Sequence, residues 1–96
     1  MFVLVTYDVA TTTAAGRKRL ARVAKTCLNF GLLAQNSVFE CSVDPAQFAD
    51  LKHRLLAIVD TNCDSIRFYL LGKNWRSRVE HYGVKPTTDF DEPLIV

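Results

Sequence analysis

Hydrophobic and polar positions fall into blocks along this chain whose period switches between two and about 3.6 residues. Residues 2–9, FVLVTYDV, open with the apolar, β-branched-rich run Phe2-Val3-Leu4-Val5, which predicts a strand covered on both faces. Thr6 and Tyr7 keep strand propensity, and Asp8 follows just before a loop of small residues. The spacing then predicts a helix over residues 14–30. Leu20, Val23, Ala24, Cys27 and Leu28 form its buried stripe, Thr11 to Thr13 offer N-cap hydroxyls, and Gly31 ends it in the left-handed conformation. Residues 32–43, LLAQNSVFECSV, read as strand, with Phe39, Cys41 and Val43 alternating with Glu40 and Ser42. Asn36 and Ser37 are the turn-like residues in that run, so the pattern leaves one bent strand or two.

A second helix start is sharply marked. Asp44 is placed to cap it, Pro45 to take the first helical position, and Gln47 to complete a capping box. Val43 and Phe48 are spaced for a hydrophobic staple, and Phe48, Leu51, Leu55, Ile58 and Val59 make the core stripe. The polar residues Asp60 to Asn62 stop the helix. Residues 65–71 form a strand with Ile66, Phe68 and Leu70 on one face and Arg67, Tyr69 and Leu71 on the other. Past Gly72 the chain is polar and basic, residues 78–82 suit a short edge strand ending at Gly83, and residues 85–91 are linker-like. The chain returns to apolar residues at Pro93, Leu94, Ile95 and Val96.

This order predicts one α+β domain over residues 1–96, a ferredoxin-like βαββαβ sandwich with both helices on one sheet face and additional C-terminal strand. At 96 residues and 49% hydrophobic, the chain can bury a core of its own. Its apolar start is too short to span a membrane and has neither a basic leader nor a signal-peptide pattern, so no membrane association is expected. Three widely spaced cysteines, Cys27, Cys41 and Cys63, each lie in or beside apolar segments. They read as buried reduced thiols and point to the cytoplasm.

A net charge of +2 says little by itself, but its distribution says more. No acid lies between Asp8 and Glu40, while Arg17, Lys18, Arg19, Arg22 and Lys25 fall in that window. On a helix, Lys18, Arg22 and Lys25 line the side opposite the apolar stripe, Arg19 flanks it, and Arg17 sits in the first turn. Such a stripe is also what an ordinary solvated face looks like. A second group, Lys73, Arg76 and Arg78, lets the near-neutral chain present a basic face to nucleic acid.

Asp8 is the candidate for chemistry. A carboxylate where a central strand leaves the sheet sits on a rigid mount at the rim of the core. It could equally do no more than accept backbone hydrogen bonds from the turn that follows. No phosphate-binding loop, dinucleotide fingerprint, nucleophile elbow or CxxC pair is present, and His53 and His81 read as solvated or structural. Magnesium takes one or two carboxylates plus waters, and a twofold dimer would supply the second from another Asp8.

These residues resemble a known family. The strand ending Tyr7-Asp8-Val9, the basic start of the first helix, Gly31, and the run Gln35-Asn36-Ser37-Val38-Phe39-Glu40 all match in register, as do residues 65–69 and 94–96. They are similar to CRISPR-associated protein two, the small partner of the CRISPR integrase in spacer acquisition. The resemblance implies a ferredoxin-like homodimer whose sheets face each other, with a C-terminal extension, about residues 84–96, packed on the partner. It further implies one Mg²⁺ per dimer, shared by Asp8 of both protomers as metal ligand and catalytic residue. The implied activity is a metal-dependent endonuclease acting on RNA or duplex DNA, and a duplex-DNA-binding bridge for the integrase. Arg17, Lys18, Arg19, Arg22, Lys25, Arg76 and Arg78 are the nucleic-acid-binding candidates. The alternative is a purely architectural, catalytically inactive DNA adaptor. Many members carry a further acid soon after the aspartate, where this chain has Ala10-Thr11-Thr12-Thr13.

Overall fold

Seven elements run in the order β1 (Phe2–Asp8), α1 (Ala14–Leu28), β2 (Gly31–Gln35), β3 (Val38–Ser42), α2 (Pro45–Ile58), β4 (Ser65–Leu71) and β5 (Val79–Gly83) in a computed structural model that describes residues 1–71 and 79–84. The strands form one sheet in the order β2-β3-β1-β4-β5, antiparallel at every pairing. This is the ferredoxin-like arrangement with one added edge strand, β5. Beyond Val84 the expected C-terminal extension, and with it Pro93 to Val96, lies outside the described residues, as do Lys73, Arg76 and Arg78.

The open question of one bent strand or two resolves as a tight hairpin. Asn36 and Ser37 join β2 to β3, with Ser37 at φ 63° in the left-handed region. The Ser37 carbonyl also accepts a hydrogen bond from the Tyr7 amide at 3.1 Å, which ties the hairpin turn to the end of β1.

Both helix starts are built as the sequence predicts. Thr13 Oγ1 accepts from the Gly16 amide at 3.0 Å. Asp44 and Gln47 exchange both capping-box hydrogen bonds, at 2.7 and 2.9 Å, with Pro45 opening the helix. The end of α1 differs from expectation. The helix stops at Leu28, Asn29 caps it in a right-handed conformation, and Gly31 is the first residue of β2. Glycine is needed there for space, because a Cβ would collide with the Glu40 carbonyl of β3.

The core lies between the helices and one sheet face. Val3, Val5 and Tyr7 of β1, Phe39 and Cys41 of β3, and Ile66, Phe68 and Leu70 of β4 meet Val23, Cys27, Phe48, Leu51 and Leu55 from the helices. Leu28, assigned to the α1 stripe, is instead 59% exposed at the last position of the helix.

The expectation that β1 is covered on both faces is corrected. Its burial alternates strictly, and Phe2 is exposed while Leu4 and Thr6 are half-buried. Both helices lie on the other side, so among the described residues no helix covers this face of the sheet, although Arg67 of β4 is buried on it.

Candidate active site and basic helix face

Asp8 ends β1 on the helix-free face, directly opposite Ser65, the first residue of β4. Residues paired in this way on one face have Cβ atoms about 4.5–5.5 Å apart. The Asp8 side chain is exposed, and among the described residues its carboxylate takes no hydrogen bond or ion pair.

The turn after β1 is held by a different carboxylate. Asp64, fully buried one residue before β4, accepts from the Ala10 amide at 2.9 Å and from the Asp60 amide at 2.8 Å. It also accepts from Arg19 Nε at 2.8 Å, reaching across from α1, and its backbone carbonyl accepts from the Val84 amide at 3.0 Å. Asp64 thereby joins the turn after Asp8, the first helix, the loop before β4 and the exit of β5. Burial alone would raise its pKa. The Arg19 guanidinium and the Asp60 and Ala10 amides outweigh that and hold the carboxyl below the ordinary range.

Asp64 and its partnership with Arg19 were not read from the sequence. Asp60, Asn62 and Asp64 look alike there as polar residues of a helix stop. An aspartate followed at once by a strand, with a cation 45 positions away on another element, leaves no local signature.

The predicted basic residues divide accordingly. Arg17, Lys18, Arg22 and Lys25 are exposed on α1, with Arg17 Nη1 donating to the Thr11 carbonyl at 3.2 Å. No acid occupies the first turn of this helix. Arg19 departs from the group, since its side chain is only 19% exposed and turned to Asp64. Arg76 and Arg78 lie outside the described residues. Asp8 and the exposed α1 cations do not form one cluster. The carboxylate is on the helix-free face, whereas Lys18, Arg22 and Lys25 lie on the outer side of the helical layer and Arg17 sits in the first turn, against the loop that follows β1.

The cysteines also divide. Cys27 and Cys41 are buried as expected, and burial foremost, then Cys41 beside it, pushes the Cys27 thiol up to about 12. Cys63 is instead exposed, on the loop before β4. His53 is exposed on α2, whereas His81 on β5 is half-buried, with Nε2 2.9 Å from Ser65 Oγ.

A hard divalent cation fits Asp8 as one ligand of a mostly hydrated site, because the carboxylate is accessible, unengaged and rigidly mounted. Among the described residues no group of three or more His, Cys, Asp or Glu forms a preassembled metal cage. No described helix is long and apolar enough to cross a membrane.

Fold and site together define a small ferredoxin-like protein with one presented carboxylate at the exit of its central strand and a cationic first helix. Residues 1–79 match the family described as CRISPR associated protein Cas2, and the chain belongs to that family. It is 57% identical over 96 residues to the CRISPR-associated endoribonuclease Cas2 of Chlorobaculum tepidum, covering 100% of both chains. To the CRISPR-associated endonuclease Cas2 of Halalkalibacterium halodurans it is 52% identical over 95 residues, 99% of each. Among solved structures, Streptococcus pyogenes Cas2 at pH 6.5 superposes with a TM-score of 0.71 and 67% identity, over 86% of this chain and 100% of that one.

Proposed function

We propose that this chain is a metal-dependent endonuclease of CRISPR spacer acquisition, with Asp8 as its catalytic and metal-binding residue. The observation that carries the reading is the division of labour between two aspartates. Asp64 does the structural work of holding the turn, so Asp8 is left exposed and unengaged on a fixed strand end. The names of the relatives, endoribonuclease in one case and endonuclease in another, support hydrolysis of a phosphodiester.

Asp8 would contribute one anionic ligand to Mg²⁺, and the Asp8 of a second protomer the other, one ion being shared per dimer. Bound there, the ion would activate water and offset charge on the scissile phosphate. The helix-free sheet face, with Phe2, Leu4 and Leu71 on it, is the surface such a dimer would bury. The CRISPR integrase is the proposed further partner, in the cytoplasm.

The test is cleavage of RNA and of duplex DNA with Mg²⁺, comparing wild type with Asp8→Asn. Asn keeps the shape of the side chain and removes its charge, so the variant should fold normally and cleave neither substrate. Wild-type rates from rigorously purified Asp8→Asn would overturn the assignment.

A second reading rests on a separate observation, the exposed cations of α1, of which Lys18, Arg22 and Lys25 face away from the sheet. Arg17, Lys18, Arg22 and Lys25 suit phosphate contacts without base reading, as in a DNA-holding adaptor for the integrase. Both roles can coexist because they use different faces.

A further inference from the structure

The rim of the helix-free face carries more than Asp8. Ser65 is the direct cross-strand partner of Asp8, and its hydroxyl lies 2.9 Å from Nε2 of His81. The β4–β5 register places His81 opposite Arg67, two positions along from Ser65 and on the same face. A carboxylate, a hydroxyl and an imidazole therefore span three neighbouring strands, β1, β4 and β5. A serine hydroxyl has one proton and two acceptor positions. Whichever tautomer His81 adopts, its hydrogen bond leaves the hydroxyl with bonding capacity to spare and restricts its rotation.

We propose that Ser65 is the second polar group of the Asp8 centre, hydrogen-bonded to a water of the cation held there, and that His81 is the positioning residue that orients it. The inference rests on the reading of Asp8 as a cation ligand. Magnesium sheds water reluctantly and is held through few protein ligands. Groups that receive its remaining waters therefore contribute much of its affinity, typically 10–100-fold when lost. With a single exposed carboxylate at this rim among the described residues, the Ser65 hydroxyl is the polar side chain directly across from it, Thr6 and Arg67 lying two positions further along the same face. The nearest backbone groups of β1 and β4 are committed to the ladder.

The experiment measures Mn²⁺ binding, as a spectroscopic stand-in for Mg²⁺, by the electron paramagnetic resonance of the free ion, with no nucleic acid present. Thermal unfolding confirms that each variant is folded. Ser65→Ala and His81→Phe should each weaken Mn²⁺ binding about tenfold. Ser65→Thr keeps the hydroxyl, and His81→Gln offers a side-chain amide in place of the ring nitrogen, so both should retain most of the affinity. Wild-type Mn²⁺ affinity in Ser65→Ala and His81→Phe, alongside loss in Asp8→Asn, would overturn the inference and leave the Asp8 reading standing. Equal losses in Ser65→Ala and Ser65→Thr would overturn it too, since the hydroxyl would not be the cause. Undiminished binding by Asp8→Asn would overturn both and place the error in the reading beneath.

Discussion

The carboxylates of Asp8 and Asp64 stand at adjoining strand ends, yet one is exposed and the other fully buried. Their difference has measurable consequences. The folded-state pKa of Asp64 is depressed, so its stabilising contribution is present above the ordinary carboxylate pKa and is lost as pH falls through the folded value. Wild type should therefore lose stability below roughly pH 4. Asp64→Asn should show a shallower dependence there, read from chemical unfolding midpoints measured from acid to neutral pH. At neutral pH, Asp64→Ala should cost about 2–3 kcal/mol, because it strips buried amides and a cation of their acceptor. Equal acid sensitivity in both proteins would show that other carboxylates control it. The cysteines offer a second check at this scale. Access decides which thiol reacts, so maleimide under native conditions should label exposed Cys63 and spare buried Cys27 and Cys41, as mass spectrometry would reveal. Rapid labelling of Cys27 in the folded protein would contradict its place in the core.

At the scale of elements, α1 is the part whose two sides do different work. Val23 and Cys27 are buried against the sheet, Arg19 is drawn inward to Asp64, and Lys18, Arg22 and Lys25 remain in solvent. Reversing charge at Arg22 and Lys25 should weaken binding to unrelated duplex sequences alike. It should also flatten the salt dependence, by about one unit of slope for each phosphate that is no longer neutralised. A fluorescence titration over a salt series reads both effects. Unchanged affinity after both reversals would make this an ordinary solvated surface. Asp8→Asn should leave that binding untouched, since the two sites lie on opposite sides of the sheet.

For the whole molecule, the asymmetry of the sheet matters most. One face is filled by two helices, while the other presents Phe2 at 41% and Leu71 at 46% exposure beside half-buried Leu4 and Tyr69. Burying each large aliphatic side chain is worth roughly 1.5–3 kcal/mol, which favours cover by a second copy. Replacing Phe2 and Leu71 with serine should raise the dimer dissociation constant, and deleting Leu94 to Val96 should do so too if that segment joins the partner. Sedimentation equilibrium over a dilution series distinguishes these outcomes. A doubly substituted chain as dimeric as wild type would remove this face from the interface.

Much of this architecture could be read from sequence because its determinants are local. Thr13, Asp44, Pro45 and Gln47 act within a single turn, and the alternation of Ile66, Phe68 and Leu70 with their neighbours sets which face of β4 is buried. Asp8 stood out for a similar reason, as a lone acid ending an apolar strand. What the chain order could not convey was how distant segments meet. Gly31 looked like a helix terminator because its clash with the Glu40 carbonyl exists only once β2 lies on β3. Phe2 and Leu4 looked fully buried because an apolar run does not say how many faces its own chain can cover. Arg19 looked like one more surface cation because the buried acid that claims it lies 45 residues away. Sequence alone determined the elements, their caps and the carboxylate on display. Only the tertiary structure decided which aspartate is structural, which α1 cations stay in solvent and what stands beside Asp8, because those depend on contacts that long-range strand pairing creates.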